Sequence, residues 1–391
     1  MKKQLSIFLL IICFKLLAQE PQSAYDSVYR PIIPTDKAKL LKNVDVIFNM
    51  RFANDNYFYN GTFQGSEFRE SQLRLEIKGK ITDKIYFRFR DRYTSTPESQ
   101  SKDNVVRSVD LAYVGFKLSP KTDLYLGKMS AAWGGYEFDM NPIDILEYND
   151  IVNNSNNFLA GVGLSNEFMP GQIITAQILN ARNATFEEVY DGKMPLNVEP
   201  SKVPLAYVIN WSGKFFDGKF QTLYSYSYFN EAKRRGMNYY SFGNMYKTRN
   251  LKLMYDFNYS NEAVDRKGII TSMLPVVDEF HAQQDVSYLE NWLRADVKIS
   301  PKFGLSLTLM MSNAYAKNAV SPNSGNNHIR TSYGYIPMVE YTPFKNQNMR
   351  FYAAYIGRNF NYSPFAKQTW NQEDYNTGRI SVGFIAPLLV L

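Results

Sequence analysis

Arg88, Arg90 and Arg92 stand two residues apart in IYFRFRDR. In an extended strand their guanidinium groups fall on one face, about 6.6 Å from one to the next. Arg74, Lys78 and Lys80 share one parity of the preceding stretch LRLEIKGK, and Lys128 follows further along. Phe87, Phe89, Leu75 and Ile77 occupy the opposite parity. A row of cations backed by apolar residues attracts anions and repels cations, most strongly where low dielectric lies behind it. The same row also suits a plain solvated wall, because Glu76 shares its face and Asp91 lies beside it.

The second constellation is acidic. Residues 134–157 contain Glu137, Asp139, Asp144, Glu147 and Asp150 and no lysine or arginine. If this segment folds toward the basic row, the two charge sets create a transverse field between them. If it stays outside, it is an exposed acidic loop. Gly134 and Gly135 at its start would permit a sharp bend.

Catalysis finds little to work with. His281 and His328 are the only histidines, each in a candidate loop without a serine or carboxylate at triad spacing. No G-x-S-x-G elbow occurs, and no ligands cluster for a metal. Cys13 is the single cysteine, so a chain processed beyond it has no disulfide and no thiol nucleophile. No cofactor is expected. The formal charge of +7 includes Lys2, Lys3 and Lys15, and the remaining excess is too mild to argue for nucleic acid.

The elements that must position these residues alternate with period two. Val44, Val46, Phe48, Met50 and Phe52 share one face, against Asp45, Asn49 and Arg51. Leu305, Leu307 and Leu309 alternate with Ser306 and Thr308, and Leu251, Leu253 and Tyr255 with Lys252 and Asp256. Ser225 and Ser227 alternate with Tyr224, Tyr226 and Tyr228, and small hydroxyl residues on an inward face suggest a wide, watered interior rather than a packed core. About sixteen such strands are expected, joined by connections that alternate short and long. The tight ones are ITDK, SPKT, MPG, KTRN and ISPK; the long polar ones include 134–157, 181–203 and 261–283.

Short turns on one side and long loops on the other describe a transmembrane antiparallel β-barrel. About sixteen strands leave an aqueous channel. The mean hydropathy of −0.35 is that of strands with one lipid face and one wet face. Aromatic residues at 15% suit girdles at the two membrane interfaces. Residues 1–18 have the layout of a cleaved secretory signal, residues 19–42 that of a polar lead-in, and 43–391 form the barrel.

LRLEIKGKITDKIYFRFRDRY (73–93) and VDLAYVGFKLSPKTDLYLGKM (109–129) resemble successive strand pairs of the phosphate-selective porin family, types O and P. The second stretch carries the Tyr113–Gly115 and Gly127–Lys128 features of that family. LMYDFNYSNEAVDRKGII (253–270) is similar to a strand and loop of Bacteroidota-like members. The resemblance implies a sixteen-stranded outer-membrane porin, commonly a homotrimer, with pore arginines of which Arg88, Arg90 and Arg92 would be part. Two departures concern the last strand, which contains Pro387 and ends on Leu391 rather than an aromatic residue.

The combined expectation is a passive channel in the outer membrane of a diderm bacterium. It meets membrane lipid on the outside and passes small hydrophilic solutes and ions, and the family resemblance implies a preference for phosphate-like anions. The alternative is a barrel with a plugged lumen acting as a scaffold or assembly partner.

Overall fold

The computed structural model describes residues 43–94, 108–190, 192–275, 281–317 and 327–390. The expected signal and lead-in at 1–42 lie outside the described residues. Sixteen strands follow in chain order: β1 (Val44–Tyr59), β2 (Thr62–Lys80), β3 (Ile85–Arg92), β4 (Val109–Ser119), β5 (Thr122–Ser130), β6 (Phe158–Met169), β7 (Gln172–Asn180) and β8 (Leu205–Phe215). The second half comprises β9 (Phe220–Ala232), β10 (Arg235–Lys247), β11 (Leu251–Val264), β12 (Gln284–Lys298), β13 (Phe303–Ala316), β14 (His328–Tyr341), β15 (Arg350–Tyr362) and β16 (Tyr375–Leu389). His328 thus opens a strand rather than lying in a loop.

Each strand pairs antiparallel with its chain neighbours, and β16 closes on β1. Closure removes every sheet edge, the only way strands can satisfy their backbone in hydrocarbon. Pro387 does not break this: it sits opposite Asn49, within a pairing that continues to Leu389.

The alternation read from sequence becomes an inside-out pattern. On β13, Leu305, Leu307 and Leu309 are 40–42% exposed on the outer wall, while Ser306 and Thr308 are buried inside. The tight connections 81–84, 120–121, 170–171, 216–219, 248–250 and 299–302 lie on the side where β1 starts and β16 ends. The opposite side carries the long connections, with two exceptions. Asn60–Gly61 and Lys233–Arg234 are two-residue turns there. Asn60 and Gly61 both take positive φ, 46° and 77°. That is the geometry whose twist matches the strands of a hairpin, so a long loop is not needed. The 134–157 segment therefore belongs to the second long connection from the start of the barrel.

The interior is not uniformly wet. Across β7 to β14 it is filled by an apolar core of strand and loop residues that includes Trp133, Phe229, Tyr239, Ile270, Tyr288 and Trp370. Trp133 stacks on Phe229 at 5.0 Å and meets Tyr239 edge-on at 4.6 Å. Ser225 and Ser227 do face inward, but they are buried, and Ser225 donates to the Trp133 carbonyl. Their small size admits the β5–β6 connection rather than water, which corrects the expectation of a wide lumen at this wall.

Candidate pore and its inward loop

The β5–β6 connection, residues 131–157, crosses the barrel interior. Gly134 and Gly135 take φ of 80° and 79°. A Cβ at Gly134 would lie 2.8 Å from Ser225 Oγ, so both the conformation and the close approach require glycine. Carboxylates of the wall then take up the loop's backbone N–H groups. Asp256 on β11 accepts from Tyr136 N at 2.9 Å and Glu137 N at 2.7 Å, and Glu290 on β12 accepts from Ile151 N at 2.6 Å.

Arginines of the same wall take the loop's carbonyls. Arg294 on β12 donates to Asp144 O at 3.0 Å, Arg358 on β15 to Tyr148 O at 3.1 Å, and Arg379 on β16 to Leu146 O at 2.8 Å. Arg51 on β1 donates to the carbonyls of Ile143 and Ile145. Between these bonds Tyr136, Ile143 and Ile145 pack into an apolar cluster with Met254, Trp292, Ile336 and Ile356. A backbone carried into a barrel must have its polar groups satisfied, and this wall supplies both donors and acceptors at the required places.

Ion pairs complete the attachment. Asp150 meets Arg330 at 2.5 Å and Arg358 at 2.6 Å, and also accepts from Ser332 at 2.9 Å. Asp144 pairs with Arg350, and Glu147 with Arg379 at 3.3 Å. Burial alone would raise the Asp150 carboxyl, but the Arg330 and Arg358 guanidinium groups hold it below the ordinary aspartate value. Glu137 is fully buried within the loop, where it accepts from Asn149 N at 2.6 Å. Burial, reinforced by neighbouring Glu290, pushes its carboxyl well above the ordinary range.

The loop lies against β9 to β16 and β1, so the open space remains on the other side. There a cavity of about 1310 Å³ is bounded by Arg74, Arg88, Arg90, Arg92 and Lys128, by loop residues including Asp139, and by Thr175 and Gln177 of β7. Arg88 and Tyr113 also border a second cavity of about 570 Å³ toward the tight-turn side, which Lys78, Lys80, Lys117 and Asp123 line. These two residues therefore stand at the junction of the two spaces. Arg88 Nε lies 2.9 Å from Glu76, and the Arg90 guanidinium sits over the Phe158 ring at 5.2 Å.

Each residue singled out from the sequence can now be placed. Arg74, Arg88, Arg90, Arg92 and Lys128 border the main cavity, and Lys78 borders the second one. Lys128 follows Gly127, whose φ of 130° brings the strand against Ala112 O more closely than any Cβ would allow. Among the acids, Asp139 borders the cavity with the arginines. Asp144, Glu147 and Asp150 instead meet arginines of β14 to β16, and Glu137 is inside the loop. The expectation that these acids confront Arg88, Arg90 and Arg92 is corrected for those four. The wall against which the loop packs carries its own arginines, and these neutralise the loop acids first.

Sequence reasoning missed both that second arginine set and Asp110. Arg51, Arg294, Arg330, Arg350, Arg358 and Arg379 are spread over five strands and never cluster along the chain. Their inward parity was the available signal. Asp110 has the parity of the outward residues Ala112 and Val114. A bulge pairs Arg90 with Leu111 and Asp91 with Val109, skipping Asp110. Its fully buried carboxylate lies 3.0 Å from Arg74, 3.2 Å from Arg90 and 3.8 Å from Arg92. It organises three of the five arginines that border the cavity.

Solved structures with the same fold include an outer membrane channel, a porin and a further outer membrane protein. The outer membrane channel DcaP of Acinetobacter baumannii is 11% identical, with a TM-score of 0.61 over 88% of this chain and 98% of that one. An anion-selective porin from Comamonas acidovorans is 9% identical, with a TM-score of 0.53 over 88% of this chain and 100% of its own. The trimer form of OmpT of Vibrio cholerae is 10% identical, with a TM-score of 0.52 over 88% and 98% of the two chains. At these identities the likeness establishes the sixteen-stranded fold. No curated protein matches the sequence. The profile of phosphate-selective porins O and P matches residues 47–385, nearly the whole barrel, and the chain belongs to that family of outer-membrane porins.

Proposed function

We propose that this porin conducts small hydrophilic solutes passively and prefers anions, with the β5–β6 connection setting the width of the path. The observation that carries the reading is the unequal use of charge around the lumen. Loop acids are bound by arginines of the packed wall, whereas Arg74, Arg88, Arg90, Arg92 and Lys128 border open space, with Glu76, Asp139 and Glu188 on the same lining and Asp110 paired to Arg74 and Arg90. A cationic surface beside open water and backed by lipid concentrates anions. The family name and the anion-selective relative support the same preference. The porin family and the barrel fold favour a channel over an enzyme.

Reversal potentials in planar bilayers test the proposal. Arg88→Glu with Arg90→Glu should move selectivity toward cations. The shift should shrink as salt rises, since the screening length is about 10 Å at 0.1 M. Phe87→Leu with Phe89→Leu, on the lipid side, should leave selectivity unchanged. An unaltered reversal potential for the double glutamate variant at low salt would refute the assignment of this wall. The proposal extends to a homotrimer, supported by the trimeric OmpT form, and to cleavage of residues 1–18 during export. Cross-linking in native membranes and N-terminal sequencing of the mature protein test those two parts.

A further inference from the structure

The tight turns share a composition that the channel function does not use. Six of the seven connections on that side carry an exposed cation: Lys84, Lys121, Lys219, Arg249, Lys302 and Lys345. Each has an exposed apolar or aromatic neighbour in the same turn or at the adjoining strand end: Ile81, Leu118, Phe216, Tyr246, Ile299 and Phe344. Asp83 and Asp217 are the only acids within the seven turns. The long connections on the other side lack this excess of cations: Lys233 pairs with Glu199, Lys367 with Asp374, and residues 134–157 carry acids and no lysine or arginine.

A cation beside an apolar side chain, repeated around a membrane barrel, fits the boundary between acyl chains and headgroups. The apolar group enters the hydrocarbon edge, and the long lysine stem carries its ammonium to a phosphate. In an outer-membrane porin the short turns are periplasmic. From this distribution we infer that the periplasmic rim is a docking ring for anionic phospholipid headgroups of the inner leaflet. A ring spanning most of the circumference fits a surface that surrounds the barrel. A periplasmic protein would need a patch on one side only. Polybasic segments at a membrane surface recognise anionic lipids through the same charge attraction.

Trp211 gives a local reporter. It lies on the outer face of β8, with Phe215 at 6.2 Å, next to the 216–219 turn. The other three tryptophans, Trp133, Trp292 and Trp370, are buried inside the barrel. The full-length protein, reconstituted in phosphatidylcholine vesicles containing brominated phosphatidylglycerol or brominated phosphatidylcholine, reports lipid choice through quenching of Trp211. The expected result is a several-fold preference for phosphatidylglycerol at low salt that fades at high salt. Lys219→Gln with Arg249→Gln should abolish it, and Lys219→Arg with Arg249→Lys should retain it. These side chains are exposed, and the turn hydrogen-bonds through the backbone N–H and carbonyl of Lys219, so folding should survive and is checked by heat-modifiable migration. Equal quenching by the two lipids at low salt would overturn the inference, as would an undiminished preference in the folded glutamine variant.

Discussion

Two walls of one barrel carry arginines and use them in opposite ways. On β1, β12 and β14 to β16, arginines are spent on structure. They bind loop carbonyls and the carboxylates of Asp144, Glu147 and Asp150. On β2 and β3, Arg74, Arg88, Arg90 and Arg92 border the open cavity, with Asp110 and Glu76 as partial counterions. The residue type and the strand parity are the same. What differs is whether a segment of chain packs against the wall. Where it does, guanidinium groups bind its backbone and carboxylates; where it does not, Arg88 and Arg92 reach the open cavity while Arg74 and Arg90 are buried beside Asp110.

The largest test of this contrast removes the segment. Replacing residues 138–150 by a short Gly-Ser linker should raise single-channel conductance markedly and admit larger sugars in liposome-swelling assays. It should also increase anion preference, because the arginines of the packed wall lose their partners. Conductance and size cutoff that stay at wild-type values in a folded barrel would place the narrow region elsewhere.

A smaller effect is expected from loosening the segment. Asp150→Asn leaves Arg330 and Arg358 buried without a charged partner, and breaking such a pair costs about 3–5 kcal/mol. The loop end should detach intermittently, giving noisier channels and faster proteolysis within 136–151, with the barrel intact. Steady wild-type currents would mean that the backbone bonds to Asp256 and Glu290 suffice.

On the open wall, Asp110→Asn removes the carboxylate shared by Arg74, Arg90 and Arg92. Low-salt reversal potentials should move toward stronger anion preference while conductance changes little. Movement toward cations would show that Asp110 matters by ordering the guanidinium groups rather than by offsetting their charge.

The smallest effect concerns pH. The raised Glu137 carboxyl means that the attached loop holds a proton that a detached loop releases near neutral pH. Attachment is therefore strongest below the free glutamate value and weakens as pH rises toward the raised one. Conductance noise should grow on alkaline titration. Glu137→Gln, which keeps the neutral form and its acceptor oxygen for Asn149 N, should flatten that dependence. A titration unchanged by the substitution would remove Glu137 as its source.

Period-two alternation was enough to read the barrel, because lipid on one side and protein or water on the other constrain every second residue independently of distant contacts. The faces of Arg74, Arg88, Arg90 and Arg92 follow from the same rule, and the runs at 73–129 carried the family likeness. Asp110 escaped the rule because a bulge reverses parity over one residue, and VDLAY contains no glycine or proline to announce it. Which wall the β5–β6 connection would meet was decided only in three dimensions. Gly134 and Gly135 permit a bend, but its destination depends on Asp256, Glu290, Arg330 and Arg358, which lie more than a hundred residues away along the chain. Strand pattern is a local consequence of solvent on two faces. Whether a guanidinium holds a loop or borders the cavity is decided by whatever else the closed barrel brings alongside it.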